Sequence, residues 1–462
     1  MADQYRPRCE SLERRTLFAG IPLYLTETTS DAGPMLSIDG TPGDDRISVV
    51  ATADGLVLAN KGGWSTILPD HFTLIRINGA RGNDLVIVDG SVTTDSIVHG
   101  SNGDDTLLGG AGDDHLFGGQ GRDRILAGAG DDTIITIGDS IQDRVSGDDG
   151  FDSFWTDANK TEFITDGSAD ELSRGAVHRI ESFAVPETME TDLPSTRMVY
   201  DAPTRELDGQ DLPDPIGSPS YAATYVSFED RPLFASGGPS PLDIKQGSLG
   251  DCYFLVSLMA IAKDDPDRIR QMVTDLGDGT YAVRFHTDDA EQYYRVDGDL
   301  QTFNSSGAII YAKLGAEQSL WVAIVEKAYA FFRRNIGNYT SLRAGWMTEA
   351  FDACGLESES LMANTINSAA DQLTRVKQAI DAGATVTWAT QPTIPAGTPV
   401  LSGHAYVVLA VNVDAGGAPV AMVLRNPWGS DGAGNDGTND GIVTVTLDQA
   451  KTAFLGAVYA TV

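Results

Sequence analysis

Residues 100–135 read GSNGDDTLL, GGAGDDHLF, GGQGRDRIL and AGAGDDTII, four consecutive nonapeptides with no insertion between them. Glycines stand where a tight turn needs a backbone freed from a Cβ. Leu107, Leu116, Ile125 and Ile134 recur at the eighth position, and Asp105, Asp114, Asp123 and Asp132 at the sixth. A strict period of this length, with one apolar side chain per unit, predicts a six-residue turn and a three-residue strand stacked coil upon coil into a parallel β-roll. Stacking aligns the aspartates in rows beside main-chain carbonyls, within coordinating distance of a hard divalent cation. Without a cation those rows repel one another. A glycine-rich acidic linker would need no such register.

Degenerate copies occur at GTPGDDRIS from Gly40, GARGNDLVI from Gly79 and GDDGFDSFW from Gly147, at spacings of 39, 21 and 20 residues that require insertions between coils. They extend the expected roll over residues 40–155, behind a leader at 1–39. The central block resembles the calcium-binding nonapeptide repeat of RTX proteins, which implies a calcium-loaded β-roll with Asp105, Asp114, Asp123 and Asp132 as ligands.

The charge distribution agrees with a need for counter-ions. The chain has 462 residues with 66 acids and 32 bases, a formal net charge of −34. Residues 1–240 carry 41 acids and 17 bases, a net −24, and residues 241–462 carry 25 and 15, a net −10. Phosphate backbones and anionic lipid would repel such a chain, so nucleic acid and membrane surfaces are poor partners. No stretch approaches the roughly 18 apolar residues of a spanning helix. The three cysteines, Cys9, Cys252 and Cys354, match neither a disulfide framework nor a zinc site. The first thirty residues lack the apolar core of a conventional signal peptide. Their string RPRCESLERRTLF, residues 6–18, resembles a short element that opens many surface proteins of one bacterial phylum, which implies an extracellular or cell-surface location. Residues 156–226 read as a strand-containing segment followed by a linker, with six prolines between Pro186 and Pro219.

Beyond the linker the patterning changes to a mixed α and β domain. Tyr281–Phe285 alternate as a strand, SLWVAIVEKAYAFFRR from Ser319 reads as a buried helix, and HAYVVLAVNV, PVAMVLRNP and GIVTVTL read as successive strands. In IKQGSLGDCYFLVSLMAIAK a glycine-rich turn ends at Asp251 and an apolar helix begins at Cys252. A thiol at a helix amino terminus has dipole and amide support for its thiolate, the nucleophilic form. Such a nucleophile needs an imidazole. Of the six histidines, His71, His99, His115 and His178 fall in or near the repeat half, leaving His286 and His404. His404 in SGHAYVVLAV lies 152 residues after Cys252, and Asn426 follows in RNPWG. Cysteine, then histidine, then asparagine on separate elements is a papain-type order, with Trp428 placed to cover the His/Asn hydrogen bond and Gln246 to donate its amide to an oxyanion.

QGSLGDCYFL, GHAYVVLAV and RNPWG are similar to the three signatures of the calpain family of cysteine peptidases, and SFEDRPLF from Ser227, PLDIKQG and LWVAIVEKAYAFF extend the likeness over residues 227–462. The resemblance implies a papain-like α+β protease core of two subdomains, 227–345 with the nucleophile and 346–462 with histidine and asparagine. It assigns Cys252 as nucleophile, His404 as general base and acid, Asn426 as orienting residue, Gln246 as oxyanion donor and Trp428 as shield. Tyr253 stands where the family usually has tryptophan, and the loop SDGAGNDGTNDG lacks the tryptophan-rich continuation of animal calpains. The expected chain is therefore multidomain, a calcium-bound roll before a calcium-dependent endopeptidase acting on proteins or peptides. A calcium-binding adhesive protein with a silent peptidase domain and a papain-fold transamidase are the alternatives.

Overall fold

The computed structural model describes residues 23–184 apart from 31–32, 61, 64, 139–141, 159–162, 166, 168–170 and 173, and residues 212–462 apart from 288–289, 364–367 and 434–436. Cys9, the string at residues 6–18 and most of the proline-rich segment lie outside the described residues. The chain divides into two compact units, the first built on residues before Ala184 and the second on residues 212–275 and 279–462.

The first unit is a solenoid of two eight-stranded sheets. One sheet orders β1 (Tyr24–Ser30), β2 (Gly33–Asp39), β6 (Leu74–Asn78), β8 (Ser96–Asn102), β10 (His115–Gln120), β12 (Thr133–Thr136), β14 (Ser153–Asp157) and β16 (Val177–Ile180). The other orders β15 (Phe163–Ile164), β13 (Arg144–Asp149), β11 (Arg124–Ala129), β9 (Thr106–Gly110), β7 (Leu85–Val88), β3 (Arg46–Thr52), β4 (Gly55–Asn60) and β5 (Ser65–Leu68). Successive nonapeptides alternate between the sheets, so Leu107 registers with Ile125 across β9 and β11, and Leu116 with Ile134 across β10 and β12. All four are fully buried, with Val86, Val98, Val145 and Phe154 continuing the inner column. Each contributes about 1.5–3 kcal/mol relative to exposure. The turns need glycine: at Gly121 φ is 134°, and a Cβ would lie 2.0 Å from the Gly103 carbonyl of the coil below.

Two boundaries expected from sequence are corrected here. Residues 24–30 and 33–39 are not leader but the antiparallel strands β1 and β2, the second of which pairs in parallel with β6. The roll also continues past residue 155, because β16 pairs in parallel with β14. The 39-residue spacing after Gly40 is accounted for by the antiparallel strands β4 and β5, which extend one sheet beyond β3. Antiparallel pairs thus terminate both sheets at the first end of the roll, with β1 and β5 as the outermost strands. The strands are also longer than the three residues expected, four to six in the central repeats.

The second unit combines a helical layer with an antiparallel sheet. Helix α1 (Cys252–Asp264) is apolar on all sides and buried from Tyr253 to Ala262. It is followed by the short α2 (Pro266–Arg270) and, after the strands β18 (Val273–Asp275), β19 (Thr280–His286), β20 (Glu291–Asp297) and β21 (Asp299–Phe303), by α3 (Trp321–Phe332). Strand β17 (Ala223–Ser227) pairs with β21. The chain then forms α4 (Met347–Ala353), β22 (Ser358–Met362), α5 (Ala369–Asp381), β23 (Ala384–Thr390), β24 (Ala405–Val413), β25 (Pro419–Arg425), β26 (Ile442–Thr446), α6 (Leu447–Ala453) and β27 (Phe454–Thr461). The six strands order β22-β27-β23-β24-β25-β26. Helix α1 packs on β23 and β24, with Thr385 Oγ1 donating to the Ala260 carbonyl at 3.1 Å. That packing brings the first residue of α1 to the first residue of β24. Among the described residues no helix is long and apolar enough to cross a membrane.

Candidate active site and calcium rows

Because α1 starts at Cys252 and β24 at Ala405, the two ends meet in a cleft of about 390 Å³ lined by Cys252, His404, Gln246, Trp346, Pro392 and Trp428, among others. The Cys252 thiol is half-buried and lies against the N–H groups of Ala405, Tyr253 and its own residue. These amides favour the thiolate, yet burial outweighs them and pushes the thiol up to about 11.

His404 is buried and fixed on both sides of its backbone: its N–H donates to Thr390 Oγ1 at 2.9 Å and its carbonyl accepts from Thr390 N–H at 2.9 Å. Nε2 meets Asn426 Oδ1 at 3.0 Å. The same oxygen accepts from the Trp428 N–H at 3.0 Å, which identifies it as oxygen rather than nitrogen. Nε2 must then carry the hydrogen of the neutral ring, leaving the Nδ1 lone pair as the base. Burial holds the imidazole below its ordinary value, with the Asn426 bond pulling the other way. Asn426 is fully buried and donates through Nδ2 to the Asp431 carbonyl at 3.3 Å. The Trp428 ring stands 5.3 Å from the imidazole, centroid to centroid, and is 44% exposed.

Gln246 lines the same cleft, but not as the free donor the motif suggests. Its Nε2 already donates to the Leu249 carbonyl at 2.7 Å and to Asp251 Oδ1 at 2.9 Å, which accounts for both amide hydrogens. Its main-chain N–H holds the Pro427 carbonyl at 2.8 Å, tying the nucleophile turn to the RNPWG loop. Thr390 and the buried Asp251 were not singled out in the sequence. Thr390 carries no local signal, whereas Asp251 directly precedes the cysteine.

In the first unit the nonapeptide aspartates form two rows. Asp105 and Asp123 lie on one edge, with Asp105 N–H donating to Asp123 Oδ1 at 2.8 Å; Asp114 and Asp132 lie on the other, with the equivalent bond at 2.8 Å. The first row runs on through Asp45, Asp84 and Asp143, and the second through Asp152, so the degenerate copies keep the register. In each of Asp84, Asp105, Asp114, Asp132 and Asp152 the second oxygen is buried without a hydrogen-bond partner. A Cβ on Gly100 would lie 2.5 Å from both Asp105 Oδ2 and the Gly118 carbonyl, and one on Gly109 would lie 2.7 Å from Asp114 Oδ2 and 2.0 Å from the Ala127 carbonyl. Carboxylate and carbonyl oxygens thus converge with no donor between them, which is the oxygen-only donor set that suits calcium. Burial pushes Asp105 up to about 6, Asp114 to about 7 and Asp132 to about 9. No group of three or more His, Cys, Asp or Glu side chains able to hold a metal occurs among the described residues, so main-chain carbonyls must complete any site here.

Comparison with known proteins gives two family matches. Residues 224–438 match the calpain family cysteine protease profile, and residues 99–134 match the RTX calcium-binding nonapeptide repeat in four copies. The chain is similar to the calpain-type cysteine protease DEK1 of Arabidopsis thaliana, 30% identical over 225 residues, covering 44% of this chain and 10% of that protein. It is 30% identical to calpain-8 of Mus musculus over 219 residues, covering 43% of this chain and 29% of calpain-8. Calpain clp-4 of Caenorhabditis elegans is 29% identical over 226 residues, 46% of this chain and 30% of that protein. The chain thus spans between a tenth and three tenths of the length of these relatives.

Proposed function

From a chain that carries a calpain-family cysteine protease domain behind RTX calcium-binding nonapeptide repeats, we propose a calcium-dependent cysteine endopeptidase that hydrolyses protein or peptide bonds outside the cell. The observation that carries this reading is the 3.0 Å bond between His404 Nε2 and Asn426 Oδ1 in the cleft that Cys252 lines.

In the proposed mechanism Cys252 is the nucleophile and His404 the base. Burial disfavours both charged forms, so the thiol proton passes to His404 Nδ1 as the sulfur attacks the scissile carbonyl rather than beforehand. The oxyanion forms beside the amides at the start of α1, with the Cys252 N–H as first donor. Gln246 joins by exchanging its Leu249 or Asp251 bond for the oxyanion. His404 then gives its proton to the departing amine, and the thioester is released by water deprotonated at the same Nδ1. Asn426 keeps the ring in the required tautomer, and Trp428 shields that bond from water.

Calcium fits the paired oxygens of the roll. Asp105, Asp114, Asp123 and Asp132 would hold it together with carbonyls such as those of Gly118 and Ala127. Bound there, it supplies charge compensation for carboxylates that otherwise face one another without donors. Millimolar calcium is an extracellular condition, which favours a location outside the cytoplasm.

The test is cleavage of an unfolded protein substrate by the full chain and by Cys252→Ala, each with millimolar calcium and with chelator. Cleavage that disappears in the variant and in chelator supports the reading. Absence of cleavage in all conditions while calcium still stabilises the repeats favours a non-catalytic calcium-binding protein, and amine-labelled rather than hydrolysed product favours a transamidase.

A further inference from the structure

Helix α3 buries two ionisable residues side by side, Glu326 and Lys327. Lys327 has its counter-charges, Asp214 and Asp297, both at 2.6 Å. Glu326 faces a second carboxyl instead. That carboxyl belongs to Asp251, the residue immediately before Cys252, and the two side chains lie within interaction distance of each other. Asp251 is 0% exposed and Glu326 1%.

Asp251 occupies the amino-cap position of α1, where an aspartate usually accepts a hydrogen bond from the first turn, yet its side chain makes no cap bond. It turns inward. There Oδ1 accepts from Gln246 Nε2 at 2.9 Å, and Glu326 Oε2 accepts from the Ala312 N–H at 2.8 Å. The remaining oxygen of each, Asp251 Oδ2 and Glu326 Oε1, is buried and has no N–H donor. Two carboxylates in contact, each with an oxygen lacking a donor and both removed from water, cannot both be ionised. One carboxyl O–H placed between them satisfies both orphan oxygens at once.

On the peptidase reading above, we propose that a single proton is shared between Asp251 and Glu326, and that this pair is the positioning element holding the Gln246 amide and the first residue of α1 at the cleft. Burial raises both carboxyls, and the one proton belongs to the pair. With its Oδ2 turned to Glu326, Asp251 keeps its Oδ1 on Gln246. Its main-chain carbonyl accepts from the Phe254 and Leu255 N–H groups, so anchoring Asp251 also anchors the turn that presents Cys252. Neither carboxyl is among the residues that line the cleft. Both therefore act through Gln246 and the helix start rather than on substrate.

Glu326→Gln copies the protonated acid, its amide N–H reaching Asp251 Oδ2 while its oxygen still accepts from Ala312. Glu326→Met has similar volume and no donor. With the full chain in calcium, the proposal expects kcat to fall about tenfold or more in Glu326→Met with KM changed less than about twofold, and Glu326→Gln to stay within about threefold of wild type on both constants. In the infrared difference spectrum of wild type minus Glu326→Gln, a protonated-carboxyl C=O band that shifts in D2O is expected. A Gln variant as slow as the Met variant, a Met variant with undiminished kcat, or no such band would each overturn the proposal. If Glu326→Met does not fold, the Gln variant and the infrared band still decide it. Wild-type cleavage that survives Cys252→Ala would instead refute the peptidase reading, and the infrared band would then decide the shared proton by itself.

Discussion

Replacing Asp114 by asparagine sets calcium-free and calcium-bound stability against each other, and the structure fixes both signs. Asp114 Oδ1 accepts from the Ser96 N–H at 2.6 Å, a bond that the asparagine oxygen can keep. Oδ2 is buried and lacks a donor, and the Ala127 carbonyl converges on the same point. At pH 8 the wild-type carboxyl, pushed to about 7 by burial, is mostly ionised. In Asp114→Asn the Nδ2 group replaces the orphan acceptor with a donor to that carbonyl and removes the charge. Relieving one buried unsatisfied polar group is worth about 1–3 kcal/mol. For a unit of roughly 160 residues each kcal/mol shifts the midpoint by about 2–4 °C, so a rise of about 2–12 °C is expected in chelator. In saturating calcium the order reverses, because asparagine offers a neutral amide where the ion has an anionic ligand, and the calcium-induced shift shrinks. Scanning calorimetry of the full chain at pH 8, in chelator and in millimolar calcium, reads both midpoints of the calcium-responsive transition. A lower midpoint for Asp114→Asn in chelator, or equal calcium shifts in the two proteins, would refute the reasoning.

Asn426→Ala removes the acceptor of His404 Nε2 and of the Trp428 N–H, and is expected to lower kcat by about 100-fold or more while the chain stays folded; steady-state kinetics and circular dichroism check it. Since burial holds His404 below its ordinary value, its neutral, base-competent form persists into acid, and the acidic limb of the kcat/KM profile should fall below about pH 6.5; a limb above neutrality contradicts this. Lys327→Met leaves Asp214 and Asp297 without their cation and should cost about 3–5 kcal/mol at pH 8 in urea unfolding. Asp214 is raised to about 7, burial outweighing the pull of Lys327, so its contribution favours the folded state in acid and is lost as pH rises through about 7. The deficit of Lys327→Met should therefore be smaller at pH 5 than at pH 8. Ile125→Ala in the roll should lower stability by about 2–5 kcal/mol, read as a shift of the same calcium-responsive transition.

The nonapeptides were legible because their chemistry is local. A turn glycine, an aspartate and an inward apolar residue fall within nine positions, and stacking identical units repeats whatever one unit does. Residues 24–39 carry no repeat and weak alternation, so their place in the roll depended on β2 finding β6, a pairing no window of sequence contains. Which aspartates share a row was likewise not readable within nine positions. It follows from each nonapeptide making half a coil, with hydrogen bonds between residues 18 apart. In the second unit the motifs around Cys252, His404 and Asn426 marked residues that line or support one cleft, but the hydrogen-bond state of Gln246 was not readable. Its donors are used by Leu249 and Asp251, whose orientation depends on Glu326, about eighty residues away in sequence.

The coil period, the inward column from Leu107 to Ile134, the helix that starts at Cys252 and the order of cysteine, histidine and asparagine are all legible in the chain. These follow from backbone preference and patterning within short windows. Tertiary structure alone decided the protonation and donor states: a thiol raised by burial, an imidazole with Nε2–H fixed on Asn426, orphan carboxylate oxygens along the roll and a carboxyl pair behind the nucleophile turn. The physical reason is that charge and hydrogen-bond balance depend on removal from water and on which distant groups meet, and both are properties of packing rather than of any stretch of chain.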